Sequence, residues 1–277
     1  MRTRLLHLSA ASGALALGKL LPPLLMVQLS AVQTLVLPGN DSRQDLEASG
    51  APCPSDSHPW QVSLFHNLQF QCAGVLVDQS WVLTAAHCWR KKPLRARVGD
   101  DHLLLFQKEQ LRGTSSPVFH PKYQPCSGRV LPQRSDEHDL MMLKLSSPVV
   151  LTSNVHPVQL PFRCAQPGQE CQVSGWGTTS SRRVKYNRSL SCSRVTLLSQ
   201  KQCEAFYPGV FTNSMICAAL DKNQDSCQSD SGDPLVCDGT LHGILSWGIY
   251  PCGTQSPPVY TEICKYMPWI RRVIRSK

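Results

Sequence analysis

Beyond Cys53 the chain alternates polar and apolar positions in short runs: Gln61-Val62-Ser63-Leu64-Phe65, Ala73-Gly74-Val75-Leu76-Val77 and Ser80-Trp81-Val82-Leu83, each bounded by Pro, Gly, Asp or Asn. Runs of this length and period predict strands. Leu140-Met141-Met142-Leu143 is apolar without a break and predicts a buried strand. No long segment of 3.6-residue period interrupts these runs until the end. There Tyr266, Trp269, Ile270, Val273 and Ile274 predict a terminal helix over Lys265 to Ile274, docked on the later strands. An all-β chain hides its strand edges best by closing its sheets into barrels.

The stretch ahead of these runs is different. Arg2 and Arg4 precede an apolar leader that runs to Val32, broken by Lys19 and Pro22-Pro23, with small residues Ser30 and Ala31 near its end. A membrane helix needs about twenty uninterrupted apolar residues, so residues 1–33 read as a signal peptide, and nothing later is long enough to span a membrane. Residues 34–43 end at Arg43, hold the glycosylation sequon Asn40-Asp41-Ser42 and read as a propeptide, leaving 44–277 as the working domain. Two polar stretches, Gln124 to His138 and Thr178 to Leu190, are too long for tight hairpins and predict surface loops. The second carries the sequon Asn187-Arg188-Ser189.

Composition narrows the setting. Hydrophobic residues make up 42% of the 277, ample for a buried core. Thirteen cysteines, the first at Cys53, are too many for a reducing cytosol and do not form the close pairs of a zinc ribbon. The compartment is therefore secretory. The net charge of +9 falls when the leader and propeptide remove four bases and one acid, but the remainder stays basic. Arg90-Lys91-Lys92, Arg182-Arg183 with Lys185 and Arg188, and Arg271-Arg272 with Arg275 read as solvated faces that could take a sulfated polysaccharide such as heparan sulfate. They lack aromatic interleaving, which argues against nucleic acid. His102, His120 and His138 fit no standard ligand spacing, so neither a metal nor a cofactor is expected.

The chemistry gathers in Cys227-Gln228-Ser229-Asp230-Ser231-Gly232-Asp233-Pro234, where a Ser locked between an acid and a Gly reads as a nucleophile turn. A serine hydroxyl is a poor nucleophile at neutral pH and needs a His base, itself held by a carboxylate. Leu83-Thr84-Ala85-Ala86-His87-Cys88 offers His87, and His138-Asp139-Leu140 offers Asp139. Singly, each is more often a turn or a packed side chain. Together, in the order His, Asp, Ser, they resemble the trypsin-like serine proteases, and within them the tissue kallikreins, over Glu47 to Lys277.

That resemblance implies two six-stranded Greek-key barrels joined near Val149 to Pro161, His87 and Asp139 on the first, Ser231 on the second, and the active site in the cleft between. It implies disulfides pairing Cys53 with Cys192, Cys72 with Cys88, Cys164 with Cys264, Cys171 with Cys237, Cys203 with Cys217 and Cys227 with Cys252, leaving Cys126 over. The N–H groups of Ser229 and Ser231 would form the oxyanion hole. Asp225, with Ser226 beside it, would sit at the primary pocket and pair with a substrate Arg or Lys. Ser246-Trp247-Gly248 would pair with the substrate backbone as an added strand. Asp230 would receive the α-ammonium freed by cleavage. The partners implied are protein or peptide substrates and serine protease inhibitors, acting on a secreted monomer.

Four departures qualify the expected activity. Ser229 and Asp233 stand where the family has Gly, and Pro258 stands where trypsin-like members keep a Gly in the pocket wall. Leu46-Glu47-Ala48-Ser49-Gly50 replaces the family's basic residue and Ile-Val-Gly-Gly. The expectation is a secreted serine endopeptidase of weak or conditional activity; the rival reading is a protease fold that acts by binding inhibitors, matrix or receptors.

Overall fold

Every residue from Gln61 to Leu64 is buried, the polar ones included. Val62 and Leu64 face a barrel interior, whereas Gln61 reaches across to the opposite half of the molecule to meet Ser174 and Asp233. The alternation of this strand thus divides an apolar core from a polar seam. The computed structural model describes residues 51–99, 101–103, 109–124, 137–177, 189–220, 230–248 and 256–276. Among these residues no helix is long and apolar enough to cross a membrane.

The described chain opens with β1 (Ala51–Pro52). The first barrel then takes β2 (Gln61–His66), β3 (Gln69–Asp78), β4 (Trp81–Thr84), β5 (Arg95–Val98), β6 (Gln110–Gly113), the two-residue β7 (Val118–Phe119) and β8 (Met141–Lys144). Its antiparallel order is β6-β5-β2-β3-β4-β8-β7, and a bridge between Thr114 and Leu145 joins the ends of β6 and β8 into a ring of six. The second barrel takes β9 (Glu170–Gly175), β10 (Ser191–Leu197), β11 (Met215–Leu220), β12 (Pro234–Cys237), β13 (Thr240–Trp247) and β14 (Val259–Glu262). The order β1-β10-β11-β14-β13-β12-β9, with a direct β10–β9 pairing, closes it into six strands with β1 added alongside. The fold is two barrel-like antiparallel sheets, mostly β, as the strand pattern and the resemblance imply.

Two helices complete it. α1 (Gln200–Phe206) starts at Ser199, whose hydroxyl accepts from the Gln202 N–H while the Gln202 side chain accepts from the Ser199 N–H, a reciprocal cap. α2 (Met267–Arg275) buries Met267, Ile270 and Val273. Those side chains share a cluster with the first barrel's core and with Val236, Leu241 and Ile244 of the second. The helix therefore buttresses the seam between the barrels instead of resting on the second alone. His120, just after β7, packs edge-on against Trp269 and Tyr266 at 5.2 and 5.0 Å between ring centres.

Disulfides join Cys53 to Cys192, Cys72 to Cys88, Cys164 to Cys264, Cys171 to Cys237 and Cys203 to Cys217. The first holds β1 against β10. The third ties the segment between the barrels to the turn that leads into α2. Cys126, Cys227 and Cys252 lie outside the described residues.

Candidate active site

His87 sits in a single 3-10 turn, Ala86–Cys88, directly after β4. Small, buried Ala85 and Ala86 let that turn enter the seam, and the disulfide from Cys88 to Cys72 pins it to β3. Asp139 precedes β8 and is fully buried. Its two oxygens divide the work: Oδ1 accepts the His87 backbone N–H at 2.9 Å, and Oδ2 lies 2.6 Å from His87 Nδ1. With Nδ1 facing a carboxylate, the imidazole carries its proton there and leaves Nε2, its other nitrogen, as the base. Ser246, on β13, donates its hydroxyl to the same Oδ2 at 2.5 Å, a bond made across the barrel boundary. The side chain of His87 is 26% exposed, so the imidazole reaches solvent while the carboxylate beside it does not.

Asp139 is held by a tether that sequence reasoning missed. His138 adopts φ 57°, uncommon for a non-glycine residue, and the Leu140 N–H donates to its carbonyl at 2.7 Å. The His138 ring nitrogen Nδ1 meets the Tyr266 hydroxyl at 2.9 Å. The preceding Glu137 accepts from the hydroxyls of Ser214 and Thr212, at 3.0 and 3.3 Å, on the second barrel. Glu137 and His138 close the stretch that reads from sequence as a surface loop; the structure ties its end down instead. No local signal pointed to this, because the partners lie 75 or more residues away.

Ser231 comes from the second barrel. Its carbonyl accepts the Ala73 N–H of β3 at 2.9 Å, and the Gly232 N–H donates to the Leu245 carbonyl at 2.9 Å. The nucleophile turn is thereby stitched to both barrels. Cys88, next to His87, has its sulfur 4.0 Å from the Ser231 carbonyl, so the histidine turn and the serine turn abut. Gly232 has φ 90°, and a Cβ there would stand 2.1 Å from the Ala73 carbonyl oxygen, so only glycine fits.

The residues flanking Ser231 are buried acids. Asp230 accepts the Trp176 N–H at 3.0 Å. Asp233 turns back to accept the Asp230 N–H at 2.5 Å and receives the Gln61 side-chain amide at 3.2 Å. Burial, and after it the neighbouring Asp230, push the Asp233 carboxyl well above the usual carboxylate range.

Along the cleft, Trp247 packs edge-on against Tyr207 at 4.8 Å, and the Tyr207 hydroxyl donates to the Pro257 carbonyl at 2.6 Å. Burial pushes the Tyr207 phenol up to about 12, so it stays a donor at any physiological pH. Gly248 has φ 98° beside that hydroxyl, and Pro258 is buried and accepts from the Ala218 N–H at 3.4 Å. Asp225, Ser226 and Ser229, together with Arg43, Asn40 and Asn187, lie outside the described residues.

His120 and His138 come together, 5.1 Å between ring centres, whereas His102 instead bridges to Ser189. Desolvation first, then His138 and Lys122, lower His120 to about 4, so it stays neutral at physiological pH. Three further groupings lie within metal-holding distance among the described residues: Cys53, His58 and Cys192; Cys72, His87 and Cys88; Cys164, Glu262 and Cys264. Each contains both sulfurs of a disulfide, which offer no thiolate to a metal.

The chain matches the protein family described as Trypsin over residues 48–270. It is 69% identical to human Kallikrein-10 over 277 residues, the whole of both chains. Among solved structures it is similar to kallikrein-related peptidase 10, with a TM-score of 0.70 and 62% identity over 82% of this chain and 100% of that one. It is also similar to mouse neuropsin, a serine protease, with a TM-score of 0.75 and 42% identity over 82% of this chain and 99% of that one. A two-barrel chain that brings a histidine, a buried aspartate and a serine turn to one seam, and matches this family over most of its length, belongs to the trypsin-like serine proteases of the kallikrein type.

Proposed function

We propose that the chain is a secreted endopeptidase that cleaves after Arg or Lys with weak or conditional activity. Ser231 attacks the peptide carbonyl, His87 takes its proton and returns it to the leaving amine, and Asp139 stabilises the imidazolium. Water then resolves the acyl-enzyme. The observation that carries this reading is the triple hold on the fully buried Asp139: the backbone and ring of His87 on one side, the Ser246 hydroxyl on the other. A carboxylate so placed fixes the base in one orientation and tautomer before any substrate arrives.

Asp225, with Ser226, would draw the basic side chain, and Pro258 would narrow its passage. Ser229 is the reason for expecting slow turnover. If its position needs a glycine-type backbone, a side chain there costs about 1–3 kcal/mol. Losing one oxyanion donor costs about 2.7–4 kcal/mol of transition-state stabilisation. Residues 1–33 and 34–43 would be removed in turn, the second by a cut after Arg43, with glycans at Asn40 and Asn187. Serine protease inhibitors would meet the same cleft. The groove on α2 lined by Pro268, Arg271, Arg272, Arg275 and Ser276 would suit a heparan sulfate chain on the monomer.

The test is labelling by a fluorophosphonate followed by active-site titration of protein cut after Arg43, with Ser231→Ala as the blank. Slow, stoichiometric labelling that Ser231→Ala abolishes is expected. No labelling under any condition would leave the protein as a binding module on a protease fold.

A further inference from the structure

Four side chains from the second half of the chain converge on Asp139 and on the two residues ahead of it. Ser214 and Thr212, just before β11, donate their hydroxyls to Glu137 Oε1 at 3.0 and 3.3 Å. Tyr266, at the end of the 3-10 turn Ile263–Tyr266, meets His138 Nδ1 at 2.9 Å. Thr261, on β14, donates to the Asp139 carbonyl at 3.5 Å. The socket that receives Glu137 is itself fixed. The Met215 N–H closes a turn on the Thr212 carbonyl at 3.1 Å, and the Ser214 carbonyl accepts from the Glu262 N–H at 3.0 Å. Ser214 is buried, and its hydroxyl lies 2.7 Å from that of Thr212.

What these groups hold is an unusual approach of the backbone to the acid. His138 has φ 57°, and the Leu140 N–H reaches back past Asp139 to the His138 carbonyl at 2.7 Å. Asp139 is therefore the middle residue of a three-residue turn, and the direction of its side chain follows from the peptide that enters it. A left-handed residue other than glycine persists where its surroundings over-determine it. Glu137 supplies one such anchor and the His138 ring another. The side chain of Glu137 is 42% exposed, so its hydrogen bonds contribute little to global stability. Their effect is on direction.

We propose that Glu137 is a positioning residue for the triad: by fastening the entry to the Asp139 turn onto Ser214 and Thr212, it registers the acid to the half of the molecule that carries Ser231. His87 belongs to the first barrel, and an acid placed from that barrel alone would inherit every shift between the two. The inference rests on the proposed activity for its catalytic consequence, but not for the placement of Asp139. A misplacement of about 1 Å caused far from the chemistry can cost about a hundredfold in rate, and the loss of one anchor among several corresponds to about three- to tenfold.

The experiment compares wild type, Glu137→Gln, Glu137→Ala, Ser214→Ala and the double variant Glu137→Ala with Ser214→Ala, each as the full chain cut after Arg43. Gln keeps the acceptor oxygen; Ala removes it. Labelling of Ser231 by a fluorophosphonate should slow about three- to tenfold in Glu137→Ala, stay within about twofold of wild type in Glu137→Gln, and slow no further in the double variant than in Glu137→Ala. Melting temperatures should stay within about 4 °C of one another, which separates placement from global stability. Proton NMR supplies a readout that needs no activity. The deshielded His87 Nδ1 proton, identified by its loss in His87→Ala, should exchange with water at least about threefold faster in Glu137→Ala and as in wild type in Glu137→Gln. Labelling and proton exchange unchanged in Glu137→Ala, a Gln variant as impaired as the Ala variant, or effects of Glu137→Ala and Ser214→Ala that simply add, each overturn the proposal. If no protein labels, wild type included, the proposed activity fails, while the Nδ1 proton still decides whether Glu137 places Asp139. Should Glu137→Ala not fold, Ser214→Ala decides by the same proton: exchange at least about threefold faster supports the proposal, and exchange like wild type overturns it.

Discussion

Ser246 and Asp139 meet across the barrel boundary: the hydroxyl on β13 donates to Oδ2 of the acid just ahead of β8, 2.5 Å away and 107 residues apart in sequence. The same oxygen faces His87 Nδ1, so Ser246 sets the lie of the carboxylate against the imidazole. Ser246→Ala leaves this buried charge one donor short. A hydrogen bond to a charged group contributes about 1.5–3 kcal/mol. The expected outcome is a drop in kcat of roughly ten- to hundredfold with KM changed less, since the charge on His87 develops only on the way to the transition state. Steady-state kinetics on an Arg-containing peptide check it, and a change confined to KM would count against the assignment.

Gly232 is where the turn has no slack. Gly232→Ala would place a methyl carbon 2.1 Å from the Ala73 carbonyl oxygen and 2.5 Å from Thr84 Oγ1, at a φ of 90° that side chains avoid. Strained backbone and overpacking each cost about 1–3 kcal/mol. For a domain of this size each kcal/mol moves Tm by roughly 2–4 °C. A loss on the order of 10 °C, or failure to secrete folded protein, is therefore expected in a thermal scan. A variant that melts with wild type would show that the turn is looser than its contacts imply.

The Asp233 carboxyl makes stability depend on pH in a direction opposite to an ordinary salt-bridged acid. Its folded pKa lies above the unfolded value of about 3.9. The folded protein then binds more protons than the unfolded chain, so the contribution is fully present below about pH 4 and drains away as pH rises through the folded pKa. Asp233→Asn, with nothing to titrate, should gain on wild type as pH climbs from about 4. Matched melting curves between about pH 4 and 9 measure the gap; a gap that stays flat or closes contradicts the assignment.

What the sequence made legible, and what it hid, divides along the range of the interactions. His87, Asp139 and Ser231 carry local signatures: an Ala-Ala-His-Cys turn, an acid ahead of an apolar strand, a Ser between an acid and Gly. The barrel strands were readable because their period is local too, although both faces of β2 proved buried and the polar positions turned out to line the seam. α1 had a signal that went unread, the Ser199-x-x-Gln202 cap. The partners that tie Glu137 and His138 to the second half of the chain, and Gln61 beside Asp233, lie 75 to 172 residues away, and no window along the chain can show such pairings. The placement of α2 was misread for the same reason: its apolar stripe says that it docks, not that the seam is where.

Activation, as the family resemblance implies it, pairs a freed α-ammonium with Asp230. Here Asp230 is buried beside a second acid that already takes up its N–H. No Lys or Arg lies between Arg43 and Cys53, so the basic cut falls after Arg43 and the new end is Gln44, followed by Asp45 and Glu47. An N-terminal Gln can cyclise and lose its amine, and the two acids would enter the interior unpaired, a burial that runs against strong desolvation. Cleavage after Arg43 is therefore expected to change turnover by less than about twofold, leaving the competent conformer a minority that ligands select. Replacing Leu46-Glu47-Ala48-Ser49-Gly50 with Arg-Ile-Val-Gly-Gly and cutting after the new Arg supplies an amine without flanking acids. It should raise turnover by at least about tenfold, the scale of one restored oxyanion donor held part of the time. Both proteins, cut and uncut, are compared by active-site titration and kcat on the same substrate. If the native end alone reaches the activity of the replacement, with its ammonium buried against Asp230, the second acid at Asp233 is no obstacle to activation and the account of a zymogen-like resting state is wrong.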